Sequence, residues 1–146
     1  MTTRYDQPTI AARAFNEVIR SLAEIGVSIV GTTAIRVRGR TTGVRRGVVV
    51  NLMVVDGRDY LVSPRGNTQW ARNARAAGEL EIGPRWRSRT VRIDEVADAD
   101  KPELLRRYVK RWYWEVKGHV GGLTPESTDE QLRAAAPSIP VFVLSR

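Results

Sequence analysis

Residues 38–63 read Arg-Gly-Arg-Thr-Thr-Gly-Val-Arg-Arg-Gly-Val-Val-Val-Asn-Leu-Met-Val-Val-Asp-Gly-Arg-Asp-Tyr-Leu-Val-Ser. The continuous apolar run Gly47–Val55 predicts a long strand covered on both faces. Asp56-Gly57 is a strong two-residue hairpin signal, so Asp59–Ser63 should return beside that strand. Upstream, residues 38–46 gather two glycines, two hydroxyls and four arginines at one turn. Guanidinium groups can donate paired hydrogen bonds to phosphate or carboxylate. Four of them at one turn repel each other until a counter-charge arrives. The turn therefore reads as a seat for a polyanion.

Working outward, Ala34–Arg38 makes a short strand before the turn. Pro64-Arg65-Gly66-Asn67 breaks the strand after the hairpin, and Thr68–Ala77 reads as a short helix ended by Gly78. Glu79–Ile82 and Arg87–Glu95 form a second hairpin joined by Gly83-Pro84. Asp100-Lys101-Pro102-Glu103 starts a helix that runs to about Lys117, with Leu104, Leu105, Tyr108, Val109, Trp112 and Val116 on its inner face. Gly118, Gly121 and Gly122 then form a loop. Thr128-Asp129-Glu130 begins a last short helix closed by Pro137, and Ile139–Leu144 is a final strand. At the other end, residues 1–8 are a loose lead-in and residues 9–25 carry helical spacing, with Thr9 as cap and Gly26 as stop. Hairpin-linked strands with peripheral helices predict one α+β domain over residues 1–146, an antiparallel barrel with helical decoration.

Composition narrows the chemistry. The chain has 146 residues, is 42% hydrophobic and carries a net charge of +8. Only Lys101, Lys110 and Lys117 among its 24 basic residues are lysines, an arginine excess that a GC-rich genome would also produce. There are no cysteines, which excludes disulfides, thiolate catalysis and sulfur-bound metals. His119 is the sole histidine, a poor basis for a metal hydrolase or a serine triad. It is expected at the surface, in the glycine loop. No apolar run approaches ~20 residues, and the N-terminus lacks a signal-peptide pattern, so a cytoplasmic protein without a membrane span is expected. The basic residues are scattered and match no nucleic-acid motif, while peripheral membrane contact stays open.

The order of the glycine–arginine turn, the long strand, Tyr60-Leu61-Val62-Ser63-Pro64-Arg65-Gly66, Trp70-Ala71-Arg72-Asn73-Ala74-Arg75-Ala76 and the terminal Ile139-Pro140-Val141 resembles the deazaflavin-dependent nitroreductase family of actinobacteria, which use coenzyme F420. The likeness covers residues 15–146. It implies a split β-barrel related to FMN-binding flavin reductases. It also implies a reduced deazaflavin that gives hydride to a small acceptor such as a quinone, a nitro compound or an activated alkene.

By that resemblance Arg40, Thr41, Thr42 and Arg46 hold the anionic tail of the cofactor, with Arg45 beside them. Val48 and Val49 run beneath the ring. Ser63, Pro64, Arg65 and Gly66 lie beside it, and Trp70 and Asn73 contact the cofactor. Thr41 stands where relatives often carry lysine, and Pro64 where one type carries a serine near the substrate. The region of Tyr108, Trp112, Tyr113 and Trp114 is the nearest match to an aromatic substrate wall, with Trp112, Tyr113 and Trp114 as the substrate-binding residues and Tyr113 as a proton donor.

Each feature has a plainer reading. The arginine turn could be a solvated hairpin loop, Trp70 and Trp112 could be core, and Arg72 and Arg75 share a helix face suited to solvent. An FMN-binding reductase on the same barrel, and a carrier without catalysis, are the alternatives to an F420 enzyme. FMN ends in a single phosphate, for which four clustered arginines are more than enough. Exposed aromatics at 113–114 leave room for a homodimer as well as a monomer.

Overall fold

The computed structural model describes residues 32–145. The expected N-terminal helix at 9–25 lies outside those residues. Six strands form a closed antiparallel barrel: β1 (Thr32–Arg38), β2 (Arg45–Val55), β3 (Arg58–Val62), β4 (Glu79–Ile82), β5 (Arg89–Glu95) and β6 (Val141–Leu144). Around the barrel the order is β1-β2-β3-β6-β5-β4, with β4 returning to β1. Three helices are described: α1 (Gln69–Ala77), α2 (Pro102–Val116) and α3 (Asp129–Ala135).

The two longer crossing strands each serve two neighbours. β2 pairs with β1 from Arg45 to Asn51, then with β3 from Leu52 to Val55. β5 pairs with β4 from Arg89 to Arg92, then with β6 from Ile93 to Glu95. These switches divide the barrel into two halves, the split barrel that the resemblance implied. The β2–β3 hairpin turns at Asp56 (φ 50°) and Gly57 (φ 76°), the positive pair of a type I′ turn.

Two apolar clusters hold the fold. Ile35, Val50, Leu61, Leu80, Val91, Ile93 and Phe142 fill the barrel, and α1 contributes Ala71 and Ala74 to them. Met53, Val62 and Val141 pack outside against Leu105, Tyr108, Val109 and Trp112 of α2 and Leu132 of α3. β2 alternates between them: Val48, Val50 and Leu52 face the first, Met53 and Val55 the second. This is why its sequence from residue 47 to 55 is apolar apart from Asn51. The cover is incomplete, since Val54 is 57% exposed and Val48 and Val49 are only half-buried.

Helix ends follow the chain's local chemistry in two of three cases. Thr68 caps α1, Gly78 ends it at φ 72°, and Thr128 with Gln131 forms a capping box on α3. α2 differs from expectation. Asp100 belongs to a separate 3-10 turn, and Lys101 precedes Pro102 without a side-chain cap. The Lys101 ammonium is instead buried, bonded to Ala136 O (2.9 Å) and to Asp98 Oδ1 (2.8 Å), which ties the start of α2 to the end of α3. Residues 85–87 form another 3-10 turn, so β5 starts at Arg89 rather than 87.

Trp112 is fully buried, touches the Tyr108 ring at 5.0 Å and lies at a break in α2 (φ −119°, ψ 17°). Trp112→Ala should lower unfolding free energy by ~3–5 kcal/mol, read from urea denaturation. A loss under ~1 kcal/mol would contradict its place in this core.

Candidate functional site

A cavity of about 380 Å³ opens along β2. Six consecutive residues, Arg46 to Asn51, line it. They belong to the half of β2 that pairs with β1, so the cavity stops where β2 changes partner. Ser63, Pro64 and Arg65 after β3 form one side, with Gln69, Trp70 and Asn73 of α1. Tyr108, Glu115 and Val116 of α2, with His119, form the other.

The arginine turn is built to stay rigid. Gly39 N–H donates to Val44 O and Gly43 N–H to Gly39 O, both at 2.9 Å. A Cβ on Gly39 would sit 2.7 Å from Thr42 Oγ1, and Gly43 needs φ 73°. Both glycines are therefore structural requirements. The Thr42 hydroxyl also accepts from Val44 N–H, while Thr41 is exposed.

Its arginines have different fates. Arg40 folds onto α1: its Nη1 donates to Asn73 Oδ1 (2.7 Å) and Gln69 Oε1 (3.0 Å), and its backbone N–H donates to Asn73 Oδ1 (3.1 Å). Two neutral amides thus aim the guanidinium without neutralising it, and leave Nε and Nη2 for another acceptor. Arg46 is exposed at the cavity edge. Arg45 is turned away. Its Nη1 lies 2.6 Å from Glu81 Oε1 on β4, whose other oxygen meets Arg36 Nε at 3.2 Å. The anion contact expected of Arg45 is thus drawn off by an internal carboxylate.

The segment after β3 is locked by its own hydroxyls. Ser63 Oγ donates its single proton to Gly66 O at 2.6 Å, so Thr68 Oγ1 must donate to Ser63 at 2.9 Å while accepting from Ala71 N–H. Ser63 and Thr68 are buried, and Gly66 holds φ 102°. Ser63 therefore shapes the wall by its backbone and position, its hydroxyl proton being committed. Gly66 is buried outside the lining. Trp70 serves as both core and wall, packed on Phe142 at 5.8 Å. Arg75, expected on a solvent face, instead grips Glu95 through two bonds of 2.7 and 2.8 Å, and these raise its pKa.

The expected aromatic wall is not where residues 112–114 would put it. Trp112 is core, Tyr113 packs half-buried against the same cluster, and Trp114 is 66% exposed. None of the three lines the cavity. Tyr108 and Glu115, on either side of the break at Trp112, line it instead. His119, expected at the surface, is half-buried in the wall.

Asn51 joins these groups. Its Nδ2 donates to Tyr108 Oη at 3.2 Å and to Glu115 Oε2 at 3.3 Å. Its Oδ1 is buried and has no partner among the described residues. Glu115 is exposed as a residue, but partial burial of its carboxylate raises its pKa, opposed by the Asn51 bond. Burial also pushes the Tyr108 phenol well above its ordinary range against the same bond, and Glu115 adds to the rise. Tyr108 is thus a neutral hydroxyl at any working pH. Two sequence signals pointed here: Asn51 is the only polar side chain in the 47–55 run, and Glu115 lies in phase with an apolar stripe.

The family model of the F420H(2)-dependent quinone reductases matches residues 11–145. The chain belongs to this family. It is therefore an oxidoreductase that depends on coenzyme F420. No curated protein matches. Among solved structures the chain is similar to an F420-H2 dependent reductase, FDR-A, at 16% identity and TM-score 0.52, covering 82% of this chain and 100% of that one. General Stress Protein 26 from Bacillus anthracis is similar at 12% identity and TM-score 0.52, covering 90% and 88%. A protein described as a domain-swapped dimer is similar at 14% identity and TM-score 0.54, covering 92% and 96%. At these identities the likeness establishes the barrel fold alone.

Glu115→Gln removes a carboxylate whose folded-state pKa is raised. Such a group favours folding below its ordinary value of 4.5, and that contribution is lost as pH rises through the raised value. Between pH 4 and pH 7 wild type should lose unfolding free energy relative to Glu115→Gln. Urea midpoints with the same offset at both pH values would contradict the burial of this carboxyl.

Proposed function

We propose that the chain moves a hydride from reduced F420 to a small organic acceptor, a quinone before a nitro compound or an activated alkene. The cavity along β2 carries this reading: cationic at Arg46, flat and apolar over Val48, Val49 and Trp70, and polar again at the buried end. A ring-bearing cofactor with an anionic tail has that sequence of chemistries. The orphaned Asn51 Oδ1 and the un-neutralised guanidinium of Arg40 both fit such a ligand.

In this reading Arg40 and Arg46 hold the tail, helped by the Thr41–Thr42 end of the turn. Asn73 acts through Arg40, which it positions. Val48, Val49, Pro64 and Trp70 sandwich the ring and exclude water, Ser63 and Gly66 fix the bend that brings Pro64 and Arg65 to it, and the acceptor enters from the α2 side. The cofactor supplies the hydride chemistry, and the protein supplies binding and orientation. The family description supports a quinone as acceptor. In this reading Tyr108, which lines the cavity, meets the bound ligand rather than Tyr113, which does not line it.

A charge-assisted bond contributes ~1.5–3 kcal/mol, so two arginines on the tail support binding in the micromolar range after association costs. Titration with F420, followed by its fluorescence, should saturate in that range. Arg46→Ala should weaken binding ~10-fold or more, and Arg45→Ala less than ~3-fold because Glu81 already holds it. No saturation at tens of micromolar would overturn the reading, and a yellow protein that retains FMN through purification would favour the flavin alternative. Oxidation of reduced F420 on adding a quinone separates an enzyme from a carrier.

A further inference from the structure

The polar end of the cavity has a direction, and the direction names what it reads. Asn51 is 95% buried, and an ionised Glu115 beside it fixes the orientation of its amide. An ionised Glu115 only accepts hydrogen bonds, so Nδ2 must face it. Both Nδ2 protons are then taken, one by Glu115 and one by Tyr108 Oη. Two capacities remain among the described residues: an acceptor at Asn51 Oδ1 and a donor at Tyr108 O–H. They are held side by side by the Asn51–Tyr108 bond. An unmet buried acceptor is costly, so a ligand that supplies a donor there is favoured.

A donor beside an acceptor is the complement of a carbonyl beside an N–H. Position along β2 agrees. From Arg46 to Asn51 the strand rises about 16 Å, at ~3.3 Å per residue, and every residue between lines the cavity. A tail at Arg46 and a ring on Val48 and Val49 leave the far end of the ring at Asn51. Resting on the F420 reading above, we propose that Asn51 and Tyr108 read the pyrimidinedione edge of the deazaflavin, Tyr108 donating to a ring carbonyl and Asn51 Oδ1 accepting from the neighbouring ring N–H. Glu115 is a positioning residue: by holding Nδ2 it keeps Oδ1 turned to the ligand. The pair then fixes which end of the ring lies deep, and the acceptor must approach across the ring face.

The test compares F420 with a derivative methylated at that ring nitrogen, both titrated by fluorescence against wild-type protein and no acceptor. Wild type should bind F420 at least ~10-fold more tightly than the methylated form. Tyr108→Phe should weaken F420 by ~5–10-fold. Asn51→Leu should weaken F420 by a similar factor but change the methylated form less than ~2-fold, because that ligand has already lost the bond. Equal wild-type affinity for the two ligands overturns the proposal, whatever the variants do, and so does an Asn51→Leu loss that is the same for both. Failure of F420 itself to bind overturns this proposal together with the cofactor reading; binding without a preference against the methyl overturns this proposal alone. Circular dichroism and thermal melts confirm that the variants remain folded.

Discussion

One strand has to satisfy two neighbours. β2 gives its first seven residues to β1 and its last four to β3, and the exchange falls between Asn51 and Leu52. A ladder that changes partner there must let the two halves of the barrel part. α2 covers the exchange from outside through Met53, and the cavity takes the stretch before it. Asn51 stands at the joint, where an apolar side chain would have packed but made no directional bond. Its amide pins β2 to Tyr108 and Glu115 of α2 at that point. The cavity's extent along β2 and the placement of α2 both follow from this exchange.

The parts of the fold set by local chemistry were readable in the sequence. Asp56-Gly57 could be little else than a tight turn, since two successive positive φ values favour such a pair. Thr68, Gly78 and Thr128 mark helix ends by bonds within one turn of themselves. Asp100 misled because its neighbour Lys101 is committed to Ala136, thirty-five residues away, and no local pattern encodes that. The return of β4 to β1 and the pairing of β3 with β6 are also non-local. No local pattern encodes them, and the resemblance implied a split barrel without naming these pairings.

The site was legible along β2 and much less so along α2. The turn, the apolar strand and residues 63–65 are near in sequence to the bends that gather them, and the cavity does run past Arg46, Val48, Val49, Pro64 and Trp70. On α2 the eye is drawn to Trp112, Tyr113 and Trp114 because they are large and consecutive. Consecutive residues on a helix point in different directions, and these three divide among core, margin and solvent. The informative spacing was seven. It puts a carboxylate in phase with an otherwise apolar stripe, and across the break at Trp112 the Asn51 amide joins Tyr108 and Glu115.

The arginines show what separates a structural cation from a binding one. Arg75 and Arg45 both meet carboxylates, Glu95 and Glu81, the second of them shared with Arg36. Arg40 is held as firmly, by three bonds, but its acceptors are the amide oxygens of Gln69 and Asn73. An amide fixes the guanidinium plane without cancelling its charge. A carboxylate at position 73 would give a stronger bond to Arg40 and a weaker field at the cavity mouth. The choice of neutral partners for the one arginine that docks the turn onto α1 is therefore what lets the turn be rigid and still await an anion. The same logic holds at the far end, where Glu115 sets the Asn51 amide but leaves its oxygen unmet. At both ends a polar group is oriented from behind and left unsatisfied in front, so binding can proceed with little rearrangement of the protein.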